Sequence, residues 1–125
     1  MTVLVDSDIL IEVSRGRNTE IVSKWRQLSE SDALILFSPV TAAELWAGAR
    51  PSEHEALEAL FHSLVCAPTD ASVGTKAGEY LRRFRKSHAV ELGDALIAAS
   101  AAGSGARLWT LNRRHYPMPD ITFFD

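Results

Sequence analysis

Apolar residues along the chain fall into two patterns, short continuous runs and longer stretches with helical spacing. A short apolar run that ends at a turn residue predicts a buried strand, whereas apolar positions three and four residues apart predict a helix. The first pattern predicts strands at residues 3–5, 34–37, 65–67, 107–110 and 121–124. The second predicts helices at residues 8–14, 19–29, 41–47 and 91–102, and further helices that start at Ser52 and Asp70.

The alternation of short strands with helices predicts an α/β fold built from right-handed crossover units. Such units form a central parallel β-sheet flanked by helices on both faces, which is why its strands are apolar throughout. No linker rich in Pro, Gly or Ser and no internal repeat divides the 125 residues. We therefore expect residues 1–125 to form a single domain, with ligands bound beyond the carboxyl ends of the strands.

Polar residues occupy the predicted carboxyl edge of the sheet. Asp6 directly follows the first strand, and Thr110 to Asn112 follow a later one, while Glu44 and Asp94 are predicted in the first turns of helices that can face this edge. Structural interpretations exist for the first three of these positions. Asp6 suits a helix N-cap, Thr41-x-x-Glu44 matches a capping box, and Thr110 to Asn112 suit a polar turn.

Asp94 is harder to explain as a structural residue, because its predicted helix is apolar on nearly every face. A favourable helix dipole contributes up to about 1 kcal/mol, too little to offset the several kcal/mol of losing water. Glu91 lies one turn earlier on the same face, and two carboxylates there repel each other unless a cation is present. We therefore expect Asp94 to face a solvated cleft or a positive group.

Four segments occur in order along the chain: VLVDSDILI at 3–11, SPVTAAELWAG at 38–48, GDALIAA at 93–99 and LWTLNRRHY at 108–116. In this order and spacing the set resembles the PIN-domain nucleases, and in particular the VapC-type toxins of bacterial toxin–antitoxin pairs. The resemblance extends from Val3 to the C-terminus. It implies a PIN-like domain and a metal-dependent endoribonuclease that hydrolyses RNA phosphodiester bonds.

The resemblance further implies that Asp6, Glu44 and Asp94 converge as oxygen ligands for one or two Mg²⁺ or Mn²⁺ ions, which favour such ligands. Asn112 occupies a fourth catalytic position at which many members carry Asp. Its amide can orient a metal-bound water but adds no charge, which places a tightly held second ion in question. Four residues close to these ligands in the sequence are expected to assist the catalytic site: Ser7, Asp8, Glu91 and Thr110. Hydrolysis by metal-bound water would leave a 5′-phosphate.

The net charge of −3, from 16 acidic and 13 basic residues, does not by itself mark a nucleic-acid binder. Cations are nevertheless clustered, and those expected to contact RNA phosphates are Arg82, Arg83, Arg85, Lys86, Arg113 and Arg114. The cluster at residues 82–86 has an equally good interpretation as a solvated helix end, in which Glu79 pairs with Arg83.

The cysteine and histidine content limits the disulfides and zinc sites that the chain can form, and its apolar segments bear on its cellular compartment. The single cysteine, Cys66, excludes an intramolecular disulfide, and the four histidines lack the paired spacing of a zinc site. No signal peptide and no apolar stretch of about 18 residues is present, so we expect a cytoplasmic protein without a membrane segment.

The resemblance also implies a homodimer and a small cognate antitoxin that threads part of its chain towards the acidic site. Two alternatives to a ribonuclease stay open at this stage. One is a metal nuclease directed at DNA, since no residue reports on the ribose 2′-hydroxyl that distinguishes RNA. The other is a non-catalytic PIN-like binding module with a degenerate site, an interpretation that Asn112 makes plausible.

Overall fold

The short apolar runs form one sheet and the helical segments cover it, in a computed structural model that describes residues 1–125. The elements in chain order are β1 (Thr2–Val5), α1 (Ser7–Arg15), α2 (Thr19–Ser29), β2 (Leu34–Phe37), α3 (Pro39–Gly48), α4 (His54–His62), β3 (Val65–Cys66), α5 (Ala71–His88), α6 (Leu92–Gly103) and β4 (Arg107–Trp109). Short 3₁₀ turns lie at Pro51–Glu53 and Arg113–His115. No helix combines the length and the apolarity that crossing a bilayer requires.

The four strands pair in parallel in the order β3-β2-β1-β4, which places β1 inside the sheet. Alternate residues of a strand point to opposite faces. Leu4 accordingly belongs to a core formed with α5 and α6, whereas Val3 and Val5 belong to a second core formed with α1 to α4. All three side chains are fully buried. The predicted parallel sheet with helices on both faces is therefore confirmed.

The predicted strand at residues 121–124 is wrong, because this segment forms only an isolated bridge between Phe123 and Leu108. Leu108 donates its backbone N–H to Thr122 and accepts one from Phe124, at 2.8 and 2.9 Å. The tail therefore meets β4 at a single residue. The predicted start of the fourth helix at Ser52 is also wrong, because the 3₁₀ turn precedes α4 there.

Helix α3 begins two residues earlier than the predicted position. Ser38 is its N-cap and accepts a hydrogen bond from the backbone N–H of Val40 at 3.1 Å, with Pro39 at the first helical position. Proline is favoured there because its missing N–H would have no partner. The predicted capping box of Thr41 and Glu44 is therefore wrong, and Glu44 lies in the second helical turn rather than the first.

Ser100 on α6 is 1% exposed, and its hydroxyl has no hydrogen-bond partner. We expect Ser100→Ala to raise the free energy of unfolding by about 1 kcal/mol, because the variant no longer buries an unsatisfied polar group. Urea unfolding measures the change. Ser38→Ala is the matched control: this equally buried serine caps α3, and its loss should cost about 1 kcal/mol. Equal destabilisation by both substitutions would contradict the prediction.

Candidate active site

A cleft of about 270 Å³ opens at the carboxyl edge of the sheet. Asp6 directly follows β1 and Asn112 follows β4, and the parallel pairing of these strands brings both residues to the same edge. The cleft is lined by ten residues, of which five carry carboxylates and only two are apolar. Its polar side chains are those of Asp6, Ser7, Asp8, Glu44, Glu91, Asp94 and Asn112.

Asp6 is a buried carboxylate that caps α1 and also lines the cleft. Its Oδ1 accepts the backbone N–H of Ser7 at 2.8 Å. Its Oδ2 accepts hydrogen bonds from the Thr110 hydroxyl at 2.8 Å and the Tyr116 hydroxyl at 2.9 Å. These three donors compensate the carboxylate for the water that it loses on burial. The N-cap interpretation of Asp6 is correct, and it does not exclude a functional role.

Asp8 lies in the first turn of α1 and reaches across to the segment after β4. Its Oδ2 accepts the backbone N–H of Leu111 at 3.0 Å, and the Thr110 hydroxyl lies 3.4 Å away. Its Oδ1 is buried without any hydrogen-bond partner. Burial, and secondarily the charge of Asp6, raises the pKa of the Asp8 carboxyl from 3.8 to about 6.

The raised pKa of Asp8 predicts a pH-dependent stability in the absence of metal. The folded state holds this proton more tightly than the unfolded chain, so the stabilisation is fully present below about pH 4 and is lost as the pH rises through about 6. We expect the free energy of unfolding in EDTA to fall over this range, and to fall less in Asp8→Asn. Urea unfolding of both proteins between about pH 4 and 8 measures the difference. Parallel curves would contradict the prediction.

Glu44 extends from α3 into the cleft and is tied to α1 by a hydroxyl. The Ser7 hydroxyl donates to Glu44 Oε1 at 2.9 Å and lies 3.1 Å from the hydroxyl of Thr41. The single proton of Ser7 is directed at the carboxylate, because a carboxylate can only accept. Thr41, fully buried, therefore supports Ser7 rather than capping a helix.

Asp94 lies at the third position of α6, and Glu91 is the N-cap of that helix. Asp94 Oδ2 accepts the backbone N–H of Glu91 at 3.1 Å, so the carboxylate has a structural role as well. Burial raises the pKa of the Asp94 carboxyl above its ordinary value. A side chain that lies near this carboxylate is the imidazole of His115, whose Nδ1 is 3.7 Å from Asp94 Oδ2.

Asn112 is held at three points. Its backbone N–H donates to the Thr110 hydroxyl at 3.1 Å, and its amide nitrogen lies 3.0 Å from Nδ1 of His115. Its amide oxygen accepts a hydrogen bond from Nε of Arg114 at 3.3 Å. The amide therefore connects the cleft to the basic residues that follow it in the chain.

Known proteins identify the family of this chain. The family model of the PIN domain matches residues 3–120. Ribonuclease VapC10 of Mycobacterium tuberculosis strain H37Rv is 38% identical over 93% of this chain and 86% of its own length. Ribonuclease VapC19 of the same strain is 36% identical over 94% of this chain and 95% of its own length. The chain belongs to the VapC ribonucleases of the PIN-domain family.

Solved structures show that the VapC fold extends over the whole chain. The structure of VapBC-1 from nontypeable Haemophilus influenzae has a TM-score of 0.82 at 23% identity, covering 100% of this chain and 98% of that chain. The DNA-bound VapBC of Salmonella typhimurium has a TM-score of 0.83 at 20% identity, with the same coverage. The resemblance inferred from the four segments is thus confirmed.

Two residues that position the acidic side chains of this VapC were not identified from the sequence. Tyr116 donates to Asp6 from 110 positions along the chain, and Thr41 supports Ser7. Burial and the nearby charge of Asp6 raise the pKa of the Tyr116 hydroxyl, which therefore stays a proton donor. Tyr116 ends the fourth segment of the resemblance, but no local spacing indicates which partner its hydroxyl reaches.

The cations predicted to contact RNA occupy different surroundings. Arg113 forms an ion pair with Asp125 and its guanidinium lies 4.7 Å from the ring centre of Phe123, so it is committed to the C-terminal tail. Arg114 is exposed and adjoins the cleft through Asn112. The four cations near the end of α5 that were predicted to contact RNA are exposed, and none of them lines the cleft: Arg82, Arg83, Arg85 and Lys86.

The predicted ion pair between Glu79 and Arg83 is absent. The guanidinium of Arg83 lies instead 4.9 Å from the ring centre of Phe84, its neighbour in sequence. An exposed ion pair contributes little free energy, so a contact with an aromatic ring competes with it readily.

The donor atoms of the cleft suit a hard divalent cation. Carboxylate oxygens predominate, and the buried, unpartnered Oδ1 of Asp8 is an oxygen that no protein donor satisfies. No three acidic, histidine or cysteine side chains already stand in the geometry of a metal site. A cation would therefore have to draw the carboxylates together from the walls of the cleft.

Proposed function

We propose that this VapC-family protein is an endoribonuclease that requires Mg²⁺ or Mn²⁺ and acts as the toxin of a toxin–antitoxin pair. The observation that carries the proposal is the cleft lined by five carboxylates at the carboxyl edge of the sheet. Such a cleft repels the phosphates of RNA unless a cation neutralises it. The ribonuclease names of the relatives support RNA as the substrate class.

Within this proposal Asp6, Glu44 and Asp94 would hold the cation, which would supply a water of lowered pKa and polarise the scissile phosphate. The residues of the chain set the geometry for that chemistry. Ser7 orients the Glu44 carboxylate, and the Thr110 hydroxyl, with that of Tyr116, fixes Asp6. These hydrogen bonds orient the two carboxylates before a cation binds.

The direct test is cleavage of matched RNA and DNA oligonucleotides by the purified protein, with Mn²⁺, with EDTA, and with Mn²⁺ restored. We expect RNA to be cut, the activity to disappear in EDTA and to return with metal, and the products to carry 5′-phosphates. Cleavage of DNA alone would indicate a DNA-directed nuclease. Neither cleavage nor Mn²⁺ binding would indicate the binding module.

The end groups of the products test the chemistry separately. His115 adjoins Asp94, so a histidine is close enough to the cleft to act as a base in an attack by the ribose 2′-hydroxyl. That reaction would leave a 2′,3′-cyclic phosphate and would not require metal. Finding this product in EDTA would overturn the proposed hydrolysis.

The antitoxin partner is the second part of the proposal. A groove of about 740 Å³ runs between α1, α3 and α4, with Leu45, Leu57 and Leu60 among its apolar residues. Ile11 and Glu44 line both this groove and the acidic cleft, so the two are continuous. We expect an antitoxin to seat an apolar segment in the groove and to place a basic side chain in the cleft.

Two further expectations belong to the same proposal. A homodimer is expected from the resemblance, and light scattering of the purified protein tests it. RNA binding through Arg114 and the cations of α5 should weaken steeply as salt is raised, because phosphate contacts release counterions. Fluorescence titration of an uncleaved RNA at several salt concentrations measures that slope.

A further inference from the structure

The family resemblance predicts a fourth acidic residue at the corner of the cleft formed by Leu111 and Asn112. That residue would follow β4, where this chain has Asn112. Asp8 lies at this corner. The side chain of Asp8 comes from the opposite direction, off α1, and is anchored to the same segment through the backbone N–H of Leu111 at 3.0 Å. The carboxylate of Asp8 and the amide of Asn112 both line the cleft.

Asn112 can offer a cation only a neutral amide oxygen. Its amide oxygen accepts a hydrogen bond from Arg114, and its amide nitrogen faces His115. The amide also carries no charge, whereas the affinity of an oxygen site for a divalent cation rises with the number of charged ligands. The segment after β4 therefore contributes no negative charge to this corner.

Asp8 has a free oxygen at the same place. The anchoring contact uses Oδ2, and Oδ1 is buried without any hydrogen-bond partner. Buried polar atoms in native proteins nearly always have a partner, and because Asp8 lines the cleft, unlike Ser100, its unpartnered oxygen is within reach of a partner from outside the chain. A divalent cation, or a water bound to it, satisfies both the charge and the hydrogen-bonding capacity of this oxygen.

We propose that Asp8 supplies the fourth carboxylate of the cation site in place of Asn112. The charge at this corner then comes from α1, and the hydrogen bond from Leu111 holds the carboxylate there. The inference rests on the proposed metal-dependent function. It extends the set of ligands beyond Asp6, Glu44 and Asp94 to a residue that the sequence offered only as a neighbour.

Mn²⁺ binding to the purified protein, measured by isothermal titration calorimetry without RNA, tests the proposal. We expect Asp8→Asn to weaken binding by about tenfold or more, since it removes a charge but keeps an acceptor for the Leu111 N–H. The double variant Asp8→Asn with Asn112→Asp moves the carboxylate back to the segment after β4 and should recover most of the loss. Asp32→Asn, at an exposed position outside the cleft, is the control and should bind as wild type does.

The single variant Asn112→Asp gives a second, independent measurement should Asp8→Asn fail to fold. If Asp8 already fills the corner, the added carboxylate finds no free coordination position and is repelled by Asp8, so the affinity for Mn²⁺ changes by less than about threefold. Tightening by about tenfold or more would show that the corner was vacant and would overturn the proposal.

Wild-type affinity in a folded Asp8→Asn variant would also overturn the proposal. Asp94→Asn distinguishes this failure from failure of the proposed function. Loss of Mn²⁺ binding in Asp94→Asn, with full binding in Asp8→Asn, leaves the metal-dependent function in place and removes only the role of Asp8. A wild-type protein that binds no Mn²⁺ would remove both.

Discussion

Replacing Asp94 by Asn is expected to reduce RNA cleavage at least about a hundredfold, because a bound cation contributes several kcal/mol to the reaction and this carboxylate is one of its ligands. The apo variant should be no less stable than wild type. Its side-chain oxygen can still accept the Glu91 N–H at the start of α6, and it removes a carboxylate whose pKa burial has raised. Single-turnover cleavage of a defined RNA in Mn²⁺ measures the rate.

Thermal unfolding with and without Mn²⁺ shows whether the loss of rate follows the loss of metal. A cation that binds only the folded state raises stability by about 2.7 kcal/mol at a hundredfold excess over its Kd. Wild type and the exposed-site control Asp32→Asn should show this gain, whereas Asp94→Asn should show little of it. An Asp94→Asn protein that melts earlier than wild type and cleaves RNA normally would identify Asp94 as a structural cap only.

Placing an arginine in the groove between α1, α3 and α4 is the second substitution with a large expected effect. Ala56 is exposed and lines this groove, so Ala56→Arg should leave the fold intact while filling space that an antitoxin segment would occupy. A bulky charge in an apolar contact costs both packing and desolvation. We expect antitoxin affinity to fall at least about a hundredfold, equivalent to about 2.7 kcal/mol.

Titration of the cognate antitoxin against each variant measures this effect, and RNA cleavage without antitoxin serves as the internal check. Ala47→Arg introduces the same side chain at an exposed position that does not line the groove, and its affinity should match wild type. Ala56→Arg should also keep its nuclease activity, because position 56 lies outside the acidic cleft. Unchanged antitoxin binding in Ala56→Arg would place the antitoxin elsewhere.

Local sequence predicted most of the elements, because strand and helix periodicities and caps act over a few residues. The run that became β1 and the cap at Asp6 follow from such local rules. The prediction of where α3 starts was wrong because Ser38 and Thr41 both match an N-cap, although Pro39 at the first helical position favours Ser38. The prediction of a strand at 121–124 was wrong because a strand needs a pairing partner, and this segment pairs with β4 at one residue only.

The linear pattern of residues was enough to predict the α/β order of elements and, through four ordered segments, the family and the acidic residues of the cleft. The contacts that hold these residues became visible in the folded chain: Tyr116 and Thr110 donate to Asp6, and Leu111 donates to Asp8. These contacts join residues that are more than a hundred positions apart. Periodicity reports which face of an element is buried, but the partner of a side chain is set by the packing of distant elements.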